Sequence, residues 1–384
     1  MRILFLSHAY PAPQLITHAK HIETLAVNLA RRGLEIIVLA PKILRASKDY
    51  EENGRLKVIR FSFATNEKIL GEYKNYLNWR ILSLFANCWK ALKKTIRETK
   101  PELIHCHFIL PFGVIGVLAR KRFNLPLLVS GHGTDILVLP QKGFFMRALI
   151  RLVLSQTDAL TIPAKHLEEH IKSIYSGARP EIIPMGVDTD RFKPEREKGN
   201  IIFSSRTFYP VYDIQTLLKA FSEILVYFPN YYLELAGDGP MRSELENLAE
   251  RLKIARATRF LGRLNHNELA EHLGRARIYV STSRSDGASV SLLEALACGA
   301  FPVVSRIPAN SEWIKDGQNG LLFEPGNPSD LAAKLKQAIL QYPTYSPLIP
   351  LNRELVIKNA NLDIVCERFI NLYTNLINAK DKAR

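Results

Sequence analysis

The chain has 384 residues, of which 47% are hydrophobic and 23% charged, with a formal net charge of +15. That length exceeds what one core usually serves and points to two domains of ordinary globular composition. No run approaches the ~18 apolar residues of a membrane span, which leaves a chain that is soluble or bound to a membrane surface.

The charge is unevenly placed. Residues 1–195 carry 29 Lys and Arg against 17 Asp and Glu, whereas residues 196–384 carry 23 against 20. A basic first half attracts phosphate groups, anionic lipid or nucleic acid. The four cysteines, Cys88, Cys106, Cys298 and Cys366, show no metal-ligand spacing and read as reduced thiols of a cytosolic protein. After Met1-Arg2, Pro11 and Pro13 arrive before a signal-peptide apolar region could form, so ILFLS reads as a first buried strand.

Apolar runs then alternate with amphipathic ones. The first half offers strands RILFLS, EIIVLA, LKVIRF, ELIHCH, PLLVSG and ALTIP, with helices at His18 to Arg32, Leu77 to Glu98 and Phe144 to Leu154 among them. Near residue 185 Pro, Gly and charges cluster in IIPMGVDTDRFKPEREKGN, which reads as a linker. The alternation restarts with NIIFSS, a helix from Asp213 to Tyr227, YYLELAG, a helix from Met241 to Leu252, ATRFLG, a short helix and RIYVSTS. A helix holding Glu294 follows, then FPVVS, GLLFE and closing helices at Leu331 to Gln341 and about Leu362 to Ala379. Continuous apolar strands between helices imply βαβ units and parallel sheets. The expected architecture is two doubly wound Rossmann-like α/β domains, with ligands beyond the carboxyl ends of the strands.

The stretch DGASVSLLEALACG, Asp286 to Gly299, carries the chemistry. Asp286 sits on the loop after a strand, a helix begins near Ser289, and Gly299 breaks it. Gly287, Ala288, Ser289 and Val290 place backbone N–H groups at a helix N-terminus, where the macrodipole favours anionic or hydroxyl-rich ligands. Glu294 lies about one turn in and can face the same mouth. The bland alternative is a core helix capped by Asp286 or Ser289, with Glu294 exposed.

At this point the chain resembles the family 4 glycosyltransferases, retaining enzymes of the GT-B fold. Their signature is a Glu-x7-Glu with Gly after the first Glu, whose place Asp286 takes here, and a Leu-Glu-Ala-x-Ala-x-Gly helix around the second. Here it reads Asp286-Gly287 and Leu293-Glu294-Ala295-Leu296-Ala297-Cys298-Gly299. The match continues in Pro302-Val303-Val304, in Asp316-Gly317-x-Asn319-Gly320-Leu321-Leu322-Phe323, in Ala236-Gly237-Asp238-Gly239-Pro240 and in Phe260-Leu261-Gly262-Arg263. The linker Ile183-Pro184-Met185-Gly186-Val187-Asp188 to Phe192 also fits, with Met185 in place of the usual Asn.

The resemblance implies two domains facing across a cleft: residues 1–190 for the acceptor and 191–361 for the nucleotide sugar, with 362–384 packing back on the first. It implies that Glu294 meets the donor ribose and that Asp286 lies by the transferred sugar. It also implies that Gly287, Ala288, Ser289 and Val290 hold sugar hydroxyls and diphosphate. Leu261, Gly262 and Arg263 would meet the base, and Gly237 and Asp238 the ribose-phosphate, with Gly237 allowing close approach. Arg206 fits the family's leaving-group arginine, and Tyr212 stands where a lysine is usual, without its charge. His132 in SGHGTD would sit under the donor sugar, with Asp135 fixing its loop. The family's Gly-Gly after the first strand is absent, with roughly Ile16-Thr17 at those positions; Thr17 and His18 would substitute by side-chain contact toward the acceptor.

No metal site and no cofactor beyond the nucleotide-sugar donor is expected; the only DxD-like run, at Asp188, is in the linker. His105, Cys106 and His107 alternate on a strand and do not form a zinc site. The basic first half suggests a phosphate-bearing or lipid-linked glycan acceptor at the inner face of the cytoplasmic membrane. NWRILSLFANCWKALKK and KGFFMRALIRLVL would be the contacting stretches. Against this stands a non-catalytic sugar-nucleotide-binding subunit, favoured by Asp286, Tyr212 and the missing glycines. A sugar-nucleotide epimerase does not fit the Asp286 to Gly299 pattern, and nucleic-acid binding accounts for the charge alone.

Overall fold

The structure, a computed structural model, describes residues 1–12, 19–65, 67, 79–195 and 197–382. The chain divides into two compact units, Met1–Pro184 with Val365–Arg384, and Met185–Ile364.

The first unit runs β1 (Arg2–Ser7), α1 (Lys20–Arg31), β2 (Glu35–Pro41), β3 (Tyr50–Asn53), β4 (Leu56–Phe61), α2 (Trp79–Thr99), β5 (Leu103–His107), α3 (Phe112–Phe123), β6 (Leu127–Ser130), α4 (Thr134–Leu137), α5 (Phe144–Gln156), β7 (Ala159–Ile162), α6 (Leu167–Ile174) and β8 (Pro180–Ile182). The strands form one sheet in the order β3-β4-β2-β1-β5-β6-β7-β8. Every pairing is parallel except β3 with β4, a hairpin whose turn uses Gly54 at φ +59°. The apolar runs expected as strands are β1, β2, β4, β5, β6 and β7. β3 and β8 were not foreseen: β3 is polar (YEEN), and β8 lies next to the linker-like residues.

The second unit runs β9 (Gly199–Ser205), α7 (Ile214–Leu225), β10 (Tyr232–Ala236), α8 (Arg242–Arg251), β11 (Thr258–Gly262), α9 (His266–Arg275), β12 (Ala276–Ser281), α10 (Val290–Ala297), β13 (Phe301–Ser305), α11 (Pro308–Ser311), β14 (Leu321–Phe323), α12 (Pro328–Leu340), α13 (Tyr342–Tyr345) and α14 (Ile349–Ala360). The sheet order is β11-β10-β9-β12-β13-β14, all parallel. A final helix, α15 (Leu362–Lys382), begins in the second unit and ends in the first.

Strand alternation builds both faces of the second sheet. Ile202, Leu233, Leu235, Ile278 and Val280 point toward Leu217 and Phe221 of α7 and Leu335 of α12. Phe203, Tyr279 and Val304 point the other way, against Leu292 and Leu296 of α10 and Val356 of α14. Burying each such side chain contributes about 1.5–3 kcal/mol, so truncating Phe203 or Phe221 would cost more than any surface change nearby. Chain order reverses between β9 and β12, and ligands of doubly wound sheets gather beyond the carboxyl ends at such a point.

Candidate active site

Arg206 follows β9 directly, and the loop after β12 carries Asp286. Their side chains meet with Arg206 Nη2 2.8 Å from Asp286 Oδ2, both largely shielded from solvent. The approach is close but poorly directed: neither atom has an aligned hydrogen-bond partner. Charge therefore holds the pair more than directed hydrogen bonding does. Arg206 Nε donates to Ser281 Oγ at 3.2 Å, and the guanidinium carbon lies 5.3 Å from the Tyr212 ring centroid. Burial works against the arginine's charge, but Asp286 with the Tyr279 and Tyr212 hydroxyls outweighs it and raises the pKa. This cation stays charged throughout the working pH range. The Tyr212 hydroxyl is pushed up by burial, against the pull of Arg206. It remains neutral and makes a cation–π contact with the arginine.

Asp286 Oδ1 accepts the Ala288 N–H at 3.3 Å, and the Val290 N–H donates to Ala288 O at 3.0 Å. These two N–H groups turn inward, unlike the expectation that both face a ligand. Those of Gly287, Ser289, Ser291 and Leu292 have no acceptor among the described residues. Neither Ser289 nor Asp286 caps α10, and its N-terminus is open. That rejects the bland reading of a capped core helix.

Glu294 lies within α10 and is mostly shielded. No hydrogen bond or ion pair reaches its carboxylate among the described residues. Burial pushes its pKa up to about 8, with Arg206 pulling it down. A shielded, unpartnered carboxyl near a buried guanidinium is ready to accept hydroxyl donors from a ligand.

The loop after β10 is locked to the Arg206 segment. Phe208 N–H donates to Asp238 O at 3.0 Å, and Met241 N–H donates to Phe208 O at 3.1 Å. Gly237, at φ +154°, is packed so tightly that a Cβ would stand 2.0 Å from the Arg206 carbonyl oxygen. The Arg206 backbone by itself therefore demands a glycine at this position. The Gly237 N–H donates to Gly262 O at 2.7 Å. The β10–β11 register jumps from Leu235↔Phe260 to Ala236↔Gly262, so Leu261 is bulged on an edge strand. Bulges of this kind re-aim backbone groups beside sites. The Asp238 carboxylate lies 4.0 Å from Arg242 and 3.7 Å from Arg263.

Within the first unit, the His132 loop follows β6. Asp135, 1% exposed, accepts N–H bonds from Ile109 at 2.7 Å, His132 at 2.9 Å and Gly133 at 3.0 Å. Burial raises its pKa while those three donors pull it back. His132 Nε2 lies 3.3 Å from His107 Nδ1, and its ring packs on His21 and Phe108. His132 Nδ1 and His107 Nε2 are shielded and have no partner among the described residues. Desolvation, followed by the neighbouring histidines, holds His132 and His107 well below the usual imidazole range. His105 is structural: Nδ1 is 2.8 Å from the Tyr373 hydroxyl and Nε2 is 2.6 Å from the Ser130 hydroxyl. His105 and His107 share one face of β5, with ring centroids 4.1 Å apart. Cys106 instead sits 3.8 Å from Phe112 O. Thr17 and His18 lie outside the described residues. Among the described residues no group of His, Cys, Asp and Glu is placed to hold a metal ion.

Several residues around the site gave no sequence signal. Ser281 orients Arg206, and buried Asn310 accepts the Ser289 hydroxyl at 2.6 Å. Lys198 Nζ donates to Gly274 O at 2.6 Å and Cys298 O at 2.7 Å, while Arg353 donates to Ala297 O. Together they neutralise the carboxyl end of α10.

Comparison with known proteins bears on both units. Residues 18–191 match the model of Glycosyltransferase Family 4, and residues 187–354 match that of Glycosyl transferases group 1. The chain is 28% identical to an uncharacterized glycosyltransferase of Methanocaldococcus jannaschii, over 74% of this chain and 81% of that one. It is 24% identical to the alpha-monoglucosyldiacylglycerol synthase of Streptococcus pneumoniae, over 74% and 71%. Among solved structures, the sucrose-phosphate synthase from Thermosynechococcus elongatus superposes with TM-score 0.82 at 19% identity, over 99% of this chain and 100% of that one. Anabaena HepE in complex with UDP-glucose superposes with TM-score 0.76 at 16% identity, over 98% and 100%. These likenesses give the GT-B fold. With both halves matched by the family's models and identities this low, the chain belongs to the family 4 glycosyltransferases as a divergent member.

Proposed function

We propose that the protein is a retaining glycosyltransferase that moves a hexosyl group from a nucleoside diphosphate sugar to a lipid-linked or phosphate-bearing glycan, without a metal ion. One observation carries the reading: the buried Arg206–Asp286 pair stands beside an unpartnered Glu294 and an uncapped helix N-terminus, at the sheet's switch point. In this reading Glu294 accepts the ribose hydroxyls. The backbone around Leu261 to Arg263 meets the base, and Arg206 with the α10 N–H groups receives the charge that develops on the departing diphosphate. A cation poised there favours the transition state over the ground state. Departure and attack occur on one face of the sugar, with Asp286 beside the reacting carbon. Tyr212 makes a cation–π contact with Arg206 and adds no charge, so the leaving group relies on one cation where the family usually supplies two. The donor complex of HepE supports the nucleotide-sugar assignment.

A lipid-linked acceptor is supported by the streptococcal lipid synthase and by the surface of α5. Phe144 is 88% exposed and Phe145 61%, with Lys142, Arg147 and Arg151 alongside. No acidic residue occurs from Ile136 to Thr157. Aromatic tips rimmed by cations suit an anionic lipid surface. No helix among the described residues is long and apolar enough to cross a membrane.

The test is incubation with a panel of UDP-, GDP- and ADP-sugars, following release of nucleoside diphosphate and the anomer formed. Slow turnover of at least one donor is expected, with the anomeric configuration kept. Tight binding with no turnover of any donor, even with lipid-linked acceptors present, would instead make the chain a sugar-nucleotide-binding subunit.

A further inference from the structure

We propose that Asn310 is a positioning residue of the donor site. It draws the Ser289 hydroxyl away from the first turn of α10 and so keeps that turn's N–H groups open for a diphosphate. The proposal rests on the donor-site reading above.

A serine preceding a helix normally accepts a hydrogen bond from the second or third N–H of the helix. Ser289 occupies that place, yet it makes no such bond, and its backbone (φ −87°, ψ 66°) lies outside the extended region usual for a cap. Its Oγ donates to Asn310 Oδ1 at 2.6 Å instead. The orientation of Asn310 is forced. Its Nδ2 faces the Ser305 carbonyl at 2.8 Å, which can only accept, so Oδ1 must face Ser289 and the serine must donate. Asn310 is 0% exposed, and its Nδ2 also reaches Ser305 Oγ at 3.3 Å. Ser305 Oγ in turn donates to Ser283 O at 2.6 Å. Ser283 Oγ lies 3.1 Å from Ser281 Oγ, the hydroxyl that receives Arg206 Nε. One chain of buried hydroxyls thus runs from the donor-site cation to the would-be cap.

The open end is real on two counts. The Ser291 and Leu292 N–H groups have no acceptor among the described residues. At the other end of α10, Lys198 and Arg353 cover the carbonyls of Cys298 and Ala297. The negative pole is compensated and the positive pole is left for a ligand. Without Asn310, the Ser289 hydroxyl is released to take the first-turn N–H groups, and an anion must then displace it.

Calorimetry on the full chain tests this with UDP, or whichever of GDP and ADP it binds, and with the matching nucleoside. Asn310→Ala should weaken the diphosphate about fivefold, the equilibrium factor of a serine cap, and leave the phosphate-free nucleoside unchanged. Adding Ser289→Ala in that background should restore most of the loss, because the competing hydroxyl is gone. Equal weakening of diphosphate and nucleoside, or no recovery in the double variant, overturns the proposal and leaves the donor reading standing. Binding of none of UDP, GDP and ADP by the wild-type chain removes both. Hydrogen exchange needs no variant to fold. Ser291 and Leu292 amides should exchange freely without ligand and become protected with UDP, and protection already complete in the free protein overturns the proposal.

Discussion

The carboxyl ends of the two sheets bury their polar groups in opposite electrostatic manners. Beyond β9 and β12 the second unit gathers an ion pair, Arg206 with Asp286, and beside it a glutamate that burial keeps largely protonated up to about pH 8. Beyond β5 and β6 the first unit gathers imidazoles that burial holds neutral, His107 stacked on His132 and His132 tilted against Phe108. A site for a doubly charged leaving group needs preorganised charge that does not titrate away. A site that meets a sugar and an acceptor hydroxyl works with neutral donors and acceptors whose positions matter more than their field. The same fold element, a strand end feeding a helix, serves both uses according to what burial does to each residue type.

The comparison is broken most decisively at Arg206. Arg206→Ala should lower kcat about 10²–10³-fold, with a smaller change in KM, measured by nucleoside diphosphate release. Arg206→Lys should recover only part, because the lysine ammonium cannot reproduce both the Nε bond to Ser281 and the reach to Asp286. An unchanged kcat would move the leaving-group role elsewhere. Next comes Gly237→Ala, expected to cost about 2–4 kcal/mol in denaturant unfolding, because its Cβ would overlap the Arg206 carbonyl. A neutral outcome would mean the two loops are not locked.

Titration separates the two regions more finely. The folded pKa of Glu294 lies above its ordinary 4.5, so the stability its neutral carboxyl confers is complete below that value and is lost as pH rises through about 8. Donor affinity should climb across the same window as the carboxylate forms. Glu294→Gln should flatten both curves and weaken donor binding about tenfold at pH 8.5. His105, His107 and His132 are held low by burial and add no step between pH 7 and 9. Lys198, whose pKa burial lowers to about 8, titrates in the same window, so only a step that persists in Glu294→Gln combined with Lys198→Met would contradict the contrast. The smallest effect concerns the surface of the first unit. Phe144→Ser with Phe145→Ser should reduce flotation with anionic vesicles about tenfold and leave turnover of a water-soluble acceptor intact.

Most of the strands followed from apolar runs, because buried parallel strands leave no polar face to confuse the pattern. The exceptions are instructive. β3 is polar because it is an antiparallel edge, and β8 is too short to show a pattern. α14 is lost among prolines and has no apolar stripe. Asp286 and Glu294 were legible through a motif whose spacing is set by one loop and one helix turn, and Arg206 only through the family resemblance. Asn310, Lys198 and Arg353 were not, because each acts on a backbone or hydroxyl group remote in sequence, and a single polar residue in a loop has no period. At Gly237 the motif marks a close approach but does not show that the Arg206 carbonyl is packed against it.

That close approach has a consequence for anyone altering donor preference. Because the Arg206 carbonyl fills the space of a missing Gly237 side chain, and Phe208 is hydrogen-bonded on both sides to the Asp238–Met241 turn, the two loops are one mechanical part. A library that randomises either alone will mostly sample jammed hinges. Residues 205–209 and 236–241 have to be exchanged together, as a paired cassette from a single parent.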